Sequence, residues 1–139
     1  FAGTFCEIAG IKPPKDLHGE SLVSILKGKT PKNWRKSFYY HYYEYPGYHW
    51  VRRHYGVADG RYKLIRFYEN DVDQWELFDL KTDPKEMKSV YGTAQYAVTQ
   101  NRLSRQLALH RKSLGVPLVD PPESVVKRLP PRTRKPTAP

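Results

Sequence analysis

The chain predicts an α+β fold: about four antiparallel strands in one sheet, with a long C-terminal helix packed on one face. Three features of its 139 residues carry that prediction. Residues 54–58 and 62–68 are rich in Tyr, Val, Ile and Phe, which suit a pleated, half-buried surface. They flank Asp59-Gly60, a hairpin signal because Gly accepts the positive φ of a tight primed turn. Two further β-rich runs, 37–45 and 75–80, supply the remaining strands. Residues 93–114 set Tyr96, Val98, Leu103, Leu107 and Leu114 at helical spacing, an imperfect apolar stripe.

In chain order, residues 1–9 read as the end of a helix stopped by Gly10, with an extended exit through Pro13 and Pro14. Residues 19–26 form a short amphipathic helix, Leu22, Ile25 and Leu26 sharing a face and Gly28 lying past the end. Residues 30–33 turn. In 37–45, Phe38, Tyr39, Tyr40, Tyr42, Tyr43 and Tyr45 alternate between faces, with His41 and Glu44 interleaved. Pro46-Gly47 breaks this strand, and residues 48–53 form a loop or the start of the next one. A polar connector, 69–73, leads to the strand at 75–80. Asp83-Pro84 then opens a turn in which Asp83 can cap. On the last helix Arg102, Arg105, Arg111 and Lys112 lie largely away from the stripe, and Gly115 is its stop.

Composition narrows the function. A net charge of +10 and a pI near 9.7 suit an anionic partner. The basic residues are dispersed, with no zinc spacing, RNP-like run or basic heptad, so a nucleic acid is not expected. The single cysteine, Cys6, excludes an internal disulfide, and on the apolar face of the first helix it acts as a small hydrophobe. No apolar run approaches the roughly 20 residues that span a bilayer, so no membrane partner is expected. Residues 1–115 read as one domain, incomplete on its N-terminal side because the chain opens inside an apolar, helix-like segment. Residues 116–139 form a Pro-rich basic tail, extended or disordered.

The run R-Y-K-L-I at 61–65, followed by W-E-L-F-D-L-x-x-D-P-x-E at 75–86, resembles the C-terminal subdomain of type I, formylglycine-dependent sulfatases. The branch it is most similar to holds N-acetylglucosamine-6-sulfatases, N-sulfoglucosamine sulfohydrolase-like enzymes and related glycosaminoglycan or mucin sulfatases. Three further pieces, F-A-G-T-F-C-E-I-A-G-I at 1–11, L-H-G-E-S-L-V-S-I-L-K-G at 17–28 and H-W-V-R-R-H-Y-G-V at 49–57, resemble that branch in the same order. The resemblance implies the same α+β subdomain build. It also implies a C-terminal fragment of a sulfuric ester hydrolase acting on sulfated amino sugars. Its partners would be the sulfated sugar and a missing N-terminal catalytic domain, in a periplasmic or secreted setting. The family's Cys-x-Pro-x-Arg nucleophile motif has no counterpart, since Cys6 precedes Glu7-Ile8-Ala9-Gly10. Formylglycine and calcium are therefore implied for the N-terminal part, with no catalytic residue, cofactor or metal in this chain. Two departures stand out. The branch usually has Arg where Ala58 stands, which bears on substrate specificity. Its Asn residues after the D-P-x-E turn are replaced by Lys88 and Ser89, a change expected to affect only a surface turn.

The candidate substrate-binding residues are His49, Arg52, Arg53 and His54, a dense cationic group flanked by aromatics. Arg presents a planar fork of donors to sulfate or carboxylate oxygens, and His can donate to a hydroxyl or sulfate. Tyr48 and Trp50 can lay a ring against a sugar. The alternating arginines would otherwise be an ordinary solvated strand. His41 is expected to be packed or hydrogen-bonded, His18 exposed and His110 on the surface or partly in the core. Asp71, Asp73, Glu76 and Asp79 lack the order of an EF-hand, and Asp79 and Asp83 are expected to serve turn and cap donors. The rival reading is a non-enzymatic basic module that binds acidic polysaccharide or nucleic acid through residues 127–135 and the aromatic strand.

Overall fold

In a computed structural model, residues 1–45, 50–69 and 71–119 are described. They fall into two compact units that divide after Arg35. This boundary lies inside the 1–115 domain expected from the sequence. The first unit holds helix α1 (Ala2–Ile8) and the single turn α2 (Val23–Leu26). The Thr4 hydroxyl accepts the Leu22 N–H at 3.0 Å, and the Ser21 hydroxyl accepts that of Val23 at 3.2 Å. Those side-chain bonds cap α2 from outside, so residues 19–22 stay non-helical and the expected helix over 19–26 shrinks to its last turn.

The second unit is a meander of four antiparallel strands, β1 (Phe38–Tyr42), β2 (His54–Ala58), β3 (Tyr62–Glu69) and β4 (Val72–Asp79), in the spatial order β1-β2-β3-β4. A 3₁₀ turn (Ala94–Tyr96) leads into helix α3 (Ala97–Ser113). The pairs Tyr39↔Val57, Val57↔Leu64 and Leu64↔Leu77 put one file of side chains on a common face. There Val57, Leu64 and Leu77 meet Leu103 and Leu107 of α3, with Tyr55 closing the cluster. Burying each of these leucines contributes about 2 kcal/mol of transfer free energy. The α+β sheet with a helix on one face matches the sequence expectation.

Four details differ from it. β1 ends at Tyr42 rather than at 45. The polar connector 69–73 is mostly strand: Glu69 pairs with Val72, so β3 runs one residue further, β4 starts three residues earlier, and the two form the longest ladder. In the β2–β3 turn the Asp59 N–H bonds to the Tyr62 carbonyl at 3.1 Å, so Gly60 and Arg61 are the central pair. Gly60 has φ +88°, as the first central residue of a type II′ turn requires. Asp59 sits one position earlier, and its carboxylate accepts the N–H groups of Tyr62 at 2.7 Å and Arg61 at 3.1 Å. On α3, Val98 is 82% exposed. It lies five residues before Leu103, about 140° around the helix, whereas His110 and Arg111 follow Leu107 by one turn. Arg111 therefore lies over the Tyr55 ring, 4.1 Å from its centroid, and not away from the core. His110 Nε2 and the Gln106 amide meet the buried Ser37 hydroxyl at 2.8 and 2.6 Å, tying α3 to the start of β1.

Arg61 and Asp79 join the hairpin to the end of β4. Arg61 donates from Nε to Oδ1 at 3.0 Å and from Nη2 to Oδ2 at 2.9 Å. The Lys81 N–H and Tyr96 hydroxyl reach the same carboxylate at 3.2 and 3.4 Å, and Asp79 is 2% exposed. Arg61 holds the Asp79 carboxyl below the usual range, with the Lys81 and Tyr96 contacts adding to it. Arg66 does the same for Asp73, and the Lys88 and Met87 N–H groups for Asp83. At Asp59 burial opposes the charge, but the bonds from Tyr62, Arg102 and Arg61 outweigh it and the pKa falls. A carboxyl depressed on folding adds stability that is present above its unfolded pKa and lost as pH falls through the folded one. The melting temperature should thus hold level above about pH 5 and drop steadily below about pH 4. Asp79→Asn should lower it at neutral pH and flatten the acid limb. An acid limb of unchanged steepness in the variant would show that Asp79 does not carry this linkage.

Gly56 provides a second test of the sheet. A Cβ there would strike the Leu64 carbonyl oxygen and come within 2.6 Å of the Tyr40 hydroxyl, whose ring lies over the glycine. Gly56→Ala should destabilise by about 1–3 kcal/mol in urea unfolding. Gly19→Ala, which meets nothing within 4 Å and needs no positive φ, should change stability by less than about 0.5 kcal/mol.

Candidate functional site

The segment between β1 and β2 carries the predicted cationic group. His49 lies outside the described residues, as do Pro46, Gly47 and Tyr48. Arg52 and Arg53 belong to the non-strand approach to β2, and His54 is its first residue. The register explains how this approach is held. His54 faces Phe67, so position 52 comes opposite Glu69 at the end of β3. Glu69 Oε1 accepts the Arg53 N–H at 3.1 Å and Oε2 accepts Arg52 Nη1 at 3.4 Å. The Tyr68 N–H meets the Arg53 carbonyl at 3.2 Å, continuing the ladder. Glu69 was missed by sequence reasoning, which placed it in a polar connector. Only the strand register could have revealed it.

Arg52 also donates from Nη1 to Asp71 at 3.0 Å, and its guanidinium lies 4.7 Å from the Tyr45 ring centroid. Its bonds to the described residues all run through Nη1, leaving Nε and Nη2 without one among those residues. Asp71 raises the Arg52 pKa further above its ordinary value. Arg53 turns the other way and donates to the Tyr45 carbonyl at 3.2 Å. The charge of Arg52 is thus met within the chain by two carboxylates, Glu69 and Asp71. Trp50 is 59% exposed at φ +56°, a backbone region costly for a bulky residue and typical of constrained functional loops. Its ring meets Tyr45 edge-on, with centroids 6.5 Å apart.

His54 is set back from this loop on the sheet face opposite α3. Its ring stacks on Tyr42 at 5.6 Å and lies 5.3 Å from Phe67. Its Nδ1 lies 2.8 Å from the Arg52 carbonyl, which can only accept, so Nδ1 carries the hydrogen. Ala58, at the other end of β2, is buried between Phe38 and Lys63 in the ladder. The structure brings Trp50, Arg52 and Arg53 together around Tyr45 and Glu69. It sets His54 behind them in an aromatic sheath.

The other histidines follow their expected roles. His41 bonds the Tyr39 hydroxyl through Nδ1 (2.7 Å) and the Tyr68 hydroxyl through Nε2 (2.6 Å), with at least one ring N–H donating, and stacks on Tyr43. His18 is exposed. Ser89 has a larger part than a surface turn: its hydroxyl accepts the Leu77 N–H of edge strand β4 at 3.1 Å.

The calcium implied by the family does not fit these residues. Asp71, Asp73 and Asp79 are each engaged by an arginine, Arg52, Arg66 and Arg61 respectively. Glu76 points to the opposite face from Asp73 and Asp79 by strand alternation. Among the described residues no group of three or more His, Cys, Asp or Glu could hold a metal ion.

Known proteins share this build. Residues 1–113 match the family described as N-sulphoglucosamine sulphohydrolase, C-terminal. An N-acetylglucosamine-6-O-sulfatase of Bacteroides thetaiotaomicron is 51% identical over 109 residues, 77% of this chain and 19% of that protein. A Δ4,5-hexuronate-2-O-sulfatase of the same organism is 34% identical over 117 residues, 80% of this chain and 21% of its own length. A solved structure described as a complex with its substrate D-glucosamine-2-N,6-O-disulfate superposes with a TM-score of 0.78 at 48% identity, over 83% of this chain and 24% of the other. The chain thus spans about a fifth to a quarter of the relatives it matches. It belongs to the C-terminal family of the N-sulphoglucosamine sulphohydrolases.

Proposed function

We propose that this chain is the C-terminal part of a sulfatase that cleaves a sulfate ester of glucosamine in glycosaminoglycan- or mucin-type glycans. The observation that carries the reading is the 51% identity, over 109 residues, to a protein named N-acetylglucosamine-6-O-sulfatase. Formylglycine and calcium belong to the polypeptide outside this chain, where they supply the nucleophile and stabilise sulfate charge. The part of this chain is to form one wall of the sugar pocket. Trp50 offers an exposed ring to the sugar face. Arg52, fixed by Glu69 and Asp71 through Nη1, aims its remaining donors at a sulfate or carboxylate oxygen. Arg53 braces the loop through Tyr45, and His54 stands behind it at the start of β2. A nucleic-acid surface is less well supported. Arg61, Lys63, Arg66 and Arg102 are each paired with a carboxylate of the same unit, which leaves them poor phosphate ligands.

The chain by itself should hydrolyse neither an aryl sulfate nor 6-sulfated N-acetylglucosamine, and turnover by a purified sample would refute the proposal. In the complete enzyme, Trp50→Ala or Arg52→Ala should lower kcat/KM for a sulfated glucosamine about tenfold, a loss of about 1.4 kcal/mol in transition-state binding. The melting temperature should barely move. Unchanged kcat/KM in both variants would remove the loop from the pocket. Glu69→Gln keeps the shape but drops the charge. It should speed amide exchange at Arg53 and raise KM more than it lowers kcat, the pattern of a positioning residue.

A further inference from the structure

Helix α3 carries Arg102, Arg105, Arg111 and Lys112 and not one acidic residue. At about 100° per residue, Asn101, Arg102, Arg105, Ala108, Leu109 and Lys112 fall in one arc about 120° wide, and all are exposed. The arc lies opposite Leu103 and Leu107, which enter the core. Its cations differ from those of the sheet, where Arg61, Lys63 and Arg66 each meet a carboxylate. In the arc only Arg102 does so, at Asp59. Arg105 donates to the Asn101 carbonyl of its own helix at 3.3 Å, and neither it nor Lys112 meets a carboxylate among the described residues. Arg111, beside the arc, directs Nη2 to the Pro117 carbonyl at 3.0 Å and lies over Tyr55, so its charge also stays uncancelled. The exposed Lys36, one residue before the Ser37 hydroxyl that bonds Gln106 and His110, adds a cation alongside. Cations in a last turn offset the helix dipole, which accounts for Arg111 and Lys112. The dipole does not account for Arg105, about two turns before the end, or for the lack of acidic partners at three- and four-residue spacing.

We propose that the outward face of α3 is a docking surface for a sulfated polysaccharide chain, held by Arg105 and Lys112. This rests on the reading of the chain as part of an enzyme for glycosaminoglycan- or mucin-type glycans, and assigns the polymer a second point of contact beside the loop before β2. Arg105 and Lys112 stand two turns apart, about 10 Å along the axis, on one line of the helix. Held outward in parallel, they suit anionic groups repeated along a polymer better than one sulfate. Uncancelled cations on an acid-free surface also draw such a polymer in and raise its local concentration. Two other polyanionic surfaces fit less well. The arc has no aromatic ring on which a nucleic-acid base could stack. Nor has it the Trp or Phe side chains with which an interfacial helix enters a bilayer.

Titration of the complete protein with heparan sulfate, at several salt concentrations, tests this. Arg105→Gln together with Lys112→Gln should weaken binding about tenfold and lower the slope of log affinity against log salt by about 1–2. Arg105→Lys with Lys112→Arg keeps both charges and should bind as the native protein does. Lys81→Gln with Lys85→Gln removes the same charge from the exposed turn after β4 and should change affinity less than about twofold. Equal losses in the two Gln pairs would overturn the proposal, because net charge and not the α3 face would then govern binding. Native affinity in the Arg105–Lys112 Gln pair would overturn it as well. Tighter binding of single-stranded DNA of matched charge, lost in that same pair, would overturn it in favour of a nucleic acid. Turnover is read separately. Heparan sulfate held through Arg105 and Lys112 by a protein that hydrolyses no sulfated sugar leaves the docking surface standing and refutes the activity. Turnover of a sulfated glucosamine, with polymer affinity untouched in the Gln pair, refutes the docking surface alone.

Discussion

The bidentate contact between Arg61 and Asp79 holds together the elements on which everything else is built. Asp79 ends β4, Arg61 sits in the β2–β3 turn, and the Tyr96 hydroxyl brings in the 3₁₀ turn that starts α3. The carboxylate is almost wholly buried, so any partner it loses leaves a charge away from water. Around this contact the Arg61 guanidinium covers the Tyr62 ring at 4.8 Å, and Tyr62 meets Tyr96 edge-on. Arg102 of α3 reaches Asp59 at 2.6 Å and lies over the other side of the same neighbourhood. The Leu80 N–H closes on the Arg61 carbonyl at 2.8 Å. Turn, strand end and helix start are thereby fixed together at one end of the sheet.

This explains why the most telling sequence run is structural rather than catalytic. In R-Y-K-L-I and W-E-L-F-D-L-x-x-D-P-x-E the charged positions pair inside the unit: Arg61 with Asp79, and Lys63 with Glu86 at 2.7 Å. Glu86 adopts φ +54° beside its Lys63 contact, and Asp83 accepts the Lys88 N–H to close the turn beneath it. A motif of this kind reports the fold faithfully and the substrate hardly at all.

The fold was legible wherever one period or one turn residue decided the outcome. Gly60 gave the hairpin, strand alternation gave the sheet, and Leu103 and Leu107 gave the inner face of α3. Legibility failed where a partner distant in sequence decided instead. Val98 looks like a core residue by type, but its angle around the helix puts it in water. Arg111 looks like a surface residue, yet it lies on Tyr55, because a long side chain can bury its stem and stack its head. The connector at 69–73 is polar on its face, but Arg66 neutralises Asp73 through Nε and Nη2, which lets the ladder run on. In the loop, sequence marked Arg52 and Arg53 as cations but could not show that Glu69 would hold them.

In the proposed reading, the loop's construction bears on how substrate choice can change without loss of the fold. Its anchor, Glu69, belongs to the long β3–β4 ladder, while the side chains it presents lie outside any strand. Substitution at Trp50 or at the outer donors of Arg52 breaks no ladder hydrogen bond and opens no core cavity, so it costs little stability. Ala58 contrasts with these. It is inside β2 and buried, and a long cation there would have to pass Phe38 or Lys63 to reach solvent. Lys63 already stands opposite that position and is committed to Glu86, so a second cation would set like charges against each other across the ladder. Ala58 is therefore matched to the Lys63–Glu86 pair. In the proposed reading, contact with an anionic sugar is assigned to the loop before β2, where arginine donors can turn outward without disturbing the sheet.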